Sequence, residues 1–432
     1  MTRDYAALVD AERGFISREI FVNDEIFREE LEHLFTRAWL LVGHESLIPK
    51  ANDFFASRMG TESVILCRDR NEKIHVFLNT CRHRGMKVCR YDEGNTPLFT
   101  CPYHAWSYAT TGELVGVPMY DQLYEGVLDR SQWGLIEVAQ MENYKGTIWA
   151  TWDPNAPSFQ EYLGDARAHL DLVLDARDGR EGGSEVLAGI QKWIIPSNWK
   201  FSAENFSGDG YHNVSHRSVD LVGISPSARS GVKGRRDQYT PGSRRFFASF
   251  PQGHGVHSVM LPEDNWYVEG FRDNPAVERY YRDCFDARKQ RLGEKARLVG
   301  FNGTIFPNTS FLAHQPRMIC SWHPHGPNQT EVWRYFLVDR DAPEDVKEFL
   351  RHYNMRYMGP AGMTEQDDIE NWNYATAASR GTIARRYPYN YQQSLNASKM
   401  GDPVPGQVSM QITEQNPRGF YRRWAEYVSG SA

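Results

Sequence analysis

Apolar residues recur at Phe27, Leu31, Leu34 and Phe35 in the stretch "NDEIFREELEHLFTRAW". The i, i+4, i+7, i+8 spacing predicts an amphipathic helix, with Asn23 or Asp24 as its N-cap. From about residue 40 to 152 the period shortens. The runs "SVILC" (63–67), "KIHVFLN" (73–79) and "GTIWATW" (146–152) are β-rich and separated by Gly, Asn and Asp, as in a small all-β domain. "DPNAPS" (153–158) reads as a linker. A helical stretch with Leu163, Leu170 and Val173 follows, then the polar loop "DARDGREGGS" (175–184). Further on, "TEVWRYFLVD" (330–339) predicts a strand. "PEDVKEFLRHY" (343–353) predicts a helix with Val346, Phe349, Leu350 and Tyr353 on one face. Strands grouped with flanking helices, without regular βαβ alternation, imply an α+β fold.

Composition narrows the picture. The 432 residues suffice for two or three domains with a large core. A net charge of −6 argues against a nucleic-acid binder, which needs a basic surplus. No apolar run approaches the ~18 residues that span a bilayer. The start "MTRDYAALVDAERG" lacks the apolar stretch of a signal peptide. The expectation is a soluble cytoplasmic protein. The six cysteines (Cys67, Cys81, Cys89, Cys101, Cys284, Cys320) are then buried thiols or metal ligands rather than disulfides. The Gly-, Ser- and Arg-rich segment 225–245, "SPSARSGVKGRRDQYTPGSRR", reads either as a solvated loop or as a flap over a pocket.

Two constellations carry chemistry. The first is "CRHRG" (81–85) with "CPYHAW" (101–106): Cys81-x-His83, a gap of 17 residues, then Cys101-x-x-His104. Structural zinc takes the same ligand types. A zinc finger, however, pairs Cys with Cys and His with His, whereas each segment here carries one of each. That suits a Rieske 2Fe–2S cluster, in which one iron takes two thiolates and the other two imidazoles. Gly85 and Pro102 allow tight turns beside it. Cys67 and Cys89 fall outside the pattern as buried thiols.

The second lies in "NWKFSAENFSGDGYHNVSHRS" (198–218). His212 and His216 stand at i, i+4, one face of a helix, and Asp209 is close enough to hydrogen-bond a ligand histidine. Two histidines alone are a weak signal, and an oxygenase-type mononuclear iron site also needs a carboxylate. "GPAGMTEQDDIENW" (359–372) offers Asp367 and Asp368 on a helix after a Gly/Pro-rich turn, or simply a solvated acidic face.

Together these motifs resemble the large (α) subunit of Rieske non-haem iron aromatic-ring-hydroxylating dioxygenases, in the naphthalene/biphenyl dioxygenase branch. The similarity runs almost end to end and includes "CRHRG", "CPYHAW", "NWK…ENFSGDGYH…H", "FPNTSFL" and "GPAGMTEQDDIENW". The resemblance implies an all-β Rieske domain inserted near the N-terminus (40–157). An N-terminal helical segment (1–39) would pack on a catalytic domain (158–432) with an antiparallel sheet wrapped around helices, of helix-grip type.

It also implies one 2Fe–2S cluster on Cys81, His83, Cys101 and His104, and one mononuclear Fe(II) on His212, His216 and Asp368, with Asp367 as neighbour. Asp209 matches the family's bridging aspartate, which in ring-shaped trimers joins a cluster histidine of one subunit to an iron-ligating histidine of the next, so that His104 becomes the electron exit. Electrons would come from NADH through a reductase and ferredoxin, to a homotrimer or an α3β3 assembly with a small β subunit. The product would be a cis-dihydrodiol of an aromatic hydrocarbon or, in some members, a phenol.

By position the pocket takes Asn205, Phe206, Asn213, Phe311, Leu312, Trp322, Met358, Met363, Thr364 and Trp372, an apolar set with polar spots that suits a flat ring. Two departures stand out. The His212–His216 spacing is shorter than in naphthalene and biphenyl dioxygenases. The chain stops soon after "RGFYRRW", as salicylate-type hydroxylases tend to. An aromatic acid is therefore the second substrate class, with Arg317, Arg229, Lys233 or Arg235 to meet its carboxylate. A Rieske electron carrier without oxygen chemistry is the alternative of another class.

Overall fold

The computed structural model describes residues 4–222, 244–263, 274–313, 316–395, 404 and 406–430, without the side chains of residues 213 and 220. Segment 223–243, which holds most of the expected flap with Arg229, Lys233 and Arg235, lies outside the described residues, as does the side chain of Asn213. The chain divides into two compact units, residues 35–159 and residues 1–34 with 160–432.

The N-terminal helix α1 (Asp24–Glu29) begins where its pattern predicts. The Asn23 side chain accepts hydrogen bonds from the N–H groups of Glu25 and Ile26. The buried face of this segment matches the expected one at Leu34 and Phe35 and departs from it at Phe27 and Leu31. Ile26, Glu30 and Leu34 are buried while Phe27 and Leu31 remain partly exposed, and Glu30–Leu34 continues as a π-helical turn. The reason is Glu30. Its carboxylate takes Lys200 Nζ at 2.5 Å and the indole N–H groups of Trp199 (3.0 Å) and Trp424 (2.8 Å), all buried. Three polar partners satisfied together outweigh an apolar stripe as the anchor of this segment.

Within residues 35–159 the secondary structure is mostly strand. β1 (Leu40–His44) joins β9 (Gln140–Tyr144) and β10 (Thr147–Thr151) in the order β9-β10-β1. β2 (Asp53–Met59), β3 (Glu62–Arg68), β4 (Ile74–Leu78) and β5 (Glu93–Asn95) order as β4-β3-β2-β5. A third sheet, β8-β7-β6, is built from β6 (Leu98–Thr100), β7 (Ser107–Ala109) and β8 (Leu114–Gly116). All pairings are antiparallel. "SVILC" is the inner strand β3, with Val64 to Cys67 buried without a break. Phe54, Ile65, Phe77, Phe99, Trp106, Tyr108 and Leu114 pack around Cys81 and Cys101. "DPNAPS" is held to this unit: Pro157 O accepts the Trp39 indole N–H.

In the larger unit, α2 (Arg167–Leu174) buries Leu170 and Val173. An eight-stranded antiparallel sheet follows: β11 (Ser184–Ile195), β12 (Arg244–Ser249), β13 (Gly255–Met260), β14 (Leu298–Ile305), β15 (Thr309–Leu312), β16 (Met318–Pro324), β17 (Thr330–Asp339) and β18 (Gln407–Ser409). Its order is β11-β17-β16-β15-β14-β13-β12-β18. Helix α3 (Trp199–Phe206) lies on β14, β15 and β16. After α4 (Pro275–Leu292) and α5 (Glu344–Tyr357), α6 (Met363–Ser379) carries the expected acidic motif, and α7 (Gln415–Val428) packs on β12, β13 and α3. α5 buries Val346, Leu350 and Tyr353 as its pattern predicts; Phe349 is partly exposed. Helices grouped on an antiparallel sheet make the fold α+β. Among the described residues no helix is long and apolar enough to cross a membrane.

Candidate metal centres

The two halves of the first constellation fold alike. Gly85 N–H bonds to Cys81 O and Ala105 N–H to Cys101 O, each at 2.9 Å, so each Cys opens a one-turn loop. Each loop closes on a left-handed residue, Gly85 at φ 73° and Ala105 at φ 55°. The loops sort the four side chains by type. The thiols of Cys81 and Cys101 are buried and interact with each other. The His83 and His104 rings lie 4.6 Å apart.

Burial pushes the Cys101 thiol up, while the backbone N–H groups of Tyr103 and His104 pull it down. Tyr108 Oη lies 3.3 Å from Cys81 Sγ and also accepts the Arg82 N–H. Burial, and then His104, hold His83 below its ordinary value, which favours a neutral ligand. His83 stacks on the buried Trp106 (5.0 Å, 9°), and its Nδ1 is buried with no hydrogen-bond partner among the described residues.

A thiol pair and an imidazole pair fit a two-iron cluster in which one iron takes the thiolates and the other the imidazoles. Cys67 and Cys89 stand apart, with their thiols directed at the carbonyls of Thr110 and Tyr91.

The second centre is built from α3, the turn after it, and α6. Asn198 caps α3 by accepting the Lys200 N–H. The chain then turns at Gly208, φ 129°, where a Cβ would fall 2.7 Å from Asn416 Nδ2. This turn places Asp209. Its Oδ1 accepts the Tyr211 N–H at 2.8 Å and its Oδ2 lies 3.3 Å from His212 Nδ1. His212 to His216 form a 3₁₀ turn rather than the expected α-helical face.

The convergence holds all the same: the two Nε2 atoms are 3.1 Å apart, and Asp368 Oδ1 lies 3.4 Å and 3.2 Å from them. Among the described residues, His212, His216 and Asp368 are the one group of three or more metal-ligating side chains gathered this closely. Ligand atoms ~2.1 Å from one ion at right angles sit ~3 Å apart, so the set fits two imidazoles and a carboxylate on one face of an iron. Asp368 is buried, and its Oδ1 makes no well-aligned hydrogen bond, which a cation between the three would remedy.

The solvated acidic face does not describe α6, since Glu365 and Asp368 are both buried. Burial opposes charge on Asp368, but His216 and His212 outweigh it and hold the carboxyl well below the usual range. Burial likewise opposes a charged His212, yet Asp209 and Asp368 push it up to about 10. The negative potential behind that shift is what a divalent cation requires.

Of the pocket set, Phe206, Trp322 and Trp372 form one aromatic cluster, with centroids 5.4, 6.4 and 5.5 Å apart. Asn205 Nδ2 lies 3.3 Å from His212 Nδ1. Met358 and Thr364 are buried just before and at the start of α6, beside the residues that carry Asp368, while Met363 and Leu312 are half-buried. Phe311 is buried against Gly303 on the neighbouring strand β14.

Arg317 is not available to a substrate carboxylate. It is buried, paired with Asp339 at 2.7 Å, and donates to the carbonyls of Val173 and Leu174. Sequence reasoning missed Ser218, which donates to Asp367, and the buried pair Arg334–Glu365. A lone arginine inside the apolar run "TEVWRYFLVD" was the available signal for the latter.

Comparison with known proteins gives two family matches: the ring hydroxylating alpha subunit (catalytic domain) over residues 159–430, and the Rieske [2Fe-2S] domain over residues 38–134. The biphenyl dioxygenase subunit alpha of Paraburkholderia xenovorans (strain LB400) is 39% identical, over 98% of this chain and 92% of the relative. The benzene 1,2-dioxygenase subunit alpha of Pseudomonas putida is 38% identical over 99% and 94%. Among solved structures, naphthalene 1,2-dioxygenase with indole bound in the active site superposes with a TM-score of 0.89 at 32% identity, covering 99% of this chain and 96% of that one.

Proposed function

Because the chain belongs to the Rieske ring-hydroxylating dioxygenase α-subunit family, we propose that it is the terminal oxygenase that cis-dihydroxylates an aromatic hydrocarbon. In this reading Cys81 and Cys101 hold one iron of the 2Fe–2S cluster and His83 and His104 the other. His212, His216 and Asp368 hold the mononuclear iron. Electrons arrive from NADH through a reductase and ferredoxin. Asp209 carries them from a neighbouring subunit's cluster, which requires a ring-shaped oligomer, with or without a small β subunit.

The observation that carries the reading is the convergence of two imidazole nitrogens and one carboxylate oxygen within 3.4 Å, with Trp372 about one helical turn beyond Asp368 on α6. When bound, the two iron centres supply one-electron transfer and oxygen activation. The side chains do the rest. Asp209 accepts the His212 Nδ1 proton and so directs the Nε2 lone pair toward the metal. Asp367, held by Ser218, lies 3.5 Å from His216 Nδ1 on the far side of that ring. Phe206, Trp322 and Trp372 hold a flat ring by stacking and exclude water. With Arg317 committed to Asp339, no charged side chain among the described pocket residues favours an aromatic acid over a hydrocarbon.

The test supplies the purified oxygenase with reductase, ferredoxin and NADH and offers benzene, naphthalene, biphenyl and salicylate in parallel. The expected result is a dihydrodiol from at least one hydrocarbon, with oxygen uptake matched to product. Turnover of salicylate alone, or of none of the four, overturns the reading.

A further inference from the structure

Arg334 stands at the middle of β17, and Glu365 stands in the first turn of α6; neither side chain has any exposed surface. Arg334 Nη2 reaches both oxygens of the Glu365 carboxylate. Its remaining donors find little. Nη1 lies 2.9 Å from the sulfur of Met318, and Nε has no hydrogen-bond partner among the described residues. The guanidinium carbon instead sits 5.8, 5.7 and 5.4 Å from the ring centroids of Trp193, Phe206 and Trp322. Glu365 Oε2 also accepts the Gly359 N–H at 3.2 Å, which pins the turn in front of α6.

A buried ion pair of this kind is a poor way to add stability, because desolvation consumes most of the attraction and apolar residues of similar volume do as well. What it adds is direction. Asp368 follows Glu365 by three residues and shares its face of α6. A salt link from the strand centre to Glu365 therefore fixes the rotation and height of the helix that carries Asp368. The same guanidinium faces Phe206 and Trp322, two members of the aromatic cluster.

We propose that Arg334 and Glu365 are a positioning pair that sets the Asp368 carboxylate and the aromatic wall in register with each other, so that iron retention and substrate orientation depend on one contact. The inference rests on the reading of Asp368 as an iron ligand.

The test uses the purified oxygenase carrying the paired replacement Arg334→Met/Glu365→Leu, with Glu365→Gln alone and Asp368→Ala beside it. Four properties are read: the visible spectrum of the cluster, the melting temperature, the ferrous-ion titration of the mononuclear site, and the isomer ratio of the product. The paired variant is expected to keep the cluster spectrum and melt near the parent. It should bind ferrous iron roughly 10-fold more weakly, the lower end of the loss seen for a direct outer-shell partner because the pair acts on Asp368 through the helix, and give a changed isomer ratio.

Parent-like ferrous affinity in the folded pair makes the contact purely structural and overturns the proposal. If the pair fails to fold, Glu365→Gln, which keeps the shape and removes the charge, decides by the same titration. Retention of the mononuclear iron by Asp368→Ala overturns the underlying ligand assignment instead, so the two failures are distinguishable.

Discussion

Asp367 and Asp368 are adjacent in sequence yet address opposite nitrogens of one imidazole. Asp368 Oδ1 lies 3.2 Å from His216 Nε2, and Asp367 Oδ2 lies 3.5 Å from His216 Nδ1. Successive helical positions point ~100° apart, so the two carboxylates can flank a ring only if that ring enters between them. In the proposed site one is then the ligand and the other the group beside a ligand. Asp368→Asn is expected to abolish mononuclear iron while leaving the cluster spectrum intact. Asp367→Asn should retain the iron at an affinity lowered roughly 10-fold. Iron analysis with a ferrous titration checks both, and equal losses would falsify the division of roles.

Asp209 binds no metal in the proposed arrangement but sits against His212 Nδ1 at 3.3 Å. Asp209→Asn keeps the size of the side chain and removes its charge. Both iron centres should remain at full occupancy, while reoxidation of the reduced cluster slows by a factor of about 10 to 100. Stopped-flow absorbance of the pre-reduced oxygenase mixed with oxygen and substrate measures this. An unchanged rate removes Asp209 from the electron path.

The sorting of thiols from imidazoles at the cluster site has an electrochemical consequence. His83→Cys replaces a neutral ligand with an anionic one, and the oxidised form gains from the extra negative charge. The reduction potential should fall by roughly 100 mV or more, toward the range of all-thiolate clusters. A redox titration followed by electron paramagnetic resonance reads the shift. A potential that stays put places His83 outside the ligand set.

The buried Lys200–Glu30 pair ties the N-terminal segment to α3 and α7. Lys200→Met leaves the Glu30 carboxylate with only two indole donors, and the cost should be about 3–5 kcal/mol. Lys200→Met/Glu30→Gln, which keeps an amide oxygen for the two indole N–H groups and removes the unpaired charge, should recover much of that loss. Urea denaturation of both variants decides, and a double variant no better than the single one would mean that shape, not charge, sets the loss.

Glu204 on α3 supplies a pH dependence with a definite sign. Burial pushes its carboxyl up from 4.5 to about 8; Tyr421 and Tyr391 pull it down, and Asp209 and Glu414 push it up further. The folded state thus holds this proton more tightly than the unfolded chain. The contribution is fully present below about pH 4.5 and is lost as pH rises toward 8. Glu204→Gln should flatten the fall of melting temperature across that window, and a slope identical to the parent's rules Glu204 out as its source.

Much of this was legible in the order of residues. The strands of the small unit, the Asn23 cap, α5, β17 and the helix after "GPAG" follow from local period and capping, which depend on neighbours a few positions away. "CRHRG" and "CPYHAW" exposed the candidate cluster site because two Cys and two His fall within 24 positions and each loop needs only its own turn. What local pattern could not supply was the burial of charge. Glu30 displaced the expected apolar face of α1, because its partners Lys200 and Trp424 come from segments 170 and 394 residues away. Arg317 looked like a candidate for substrate and is held by Asp339 on the next strand.

The proposed metal ligands divide along the same line. Amino-acid order alone supplied the residue types and the short-range spacing of His212 and His216. The family resemblance pointed to Asp368, but residue chemistry and spacing could not separate it from Asp367 or from a solvated acidic face, because a carboxylate 152 positions beyond His216 carries no periodicity that points back to it. Only the packing of α6 against the His212–His216 turn brought Asp368 Oδ1 to both Nε2 atoms and turned Asp367 to the far side of the ring. Ligand identity is a property of residues, whereas ligand convergence is a property of the long-range packing that places them around one point.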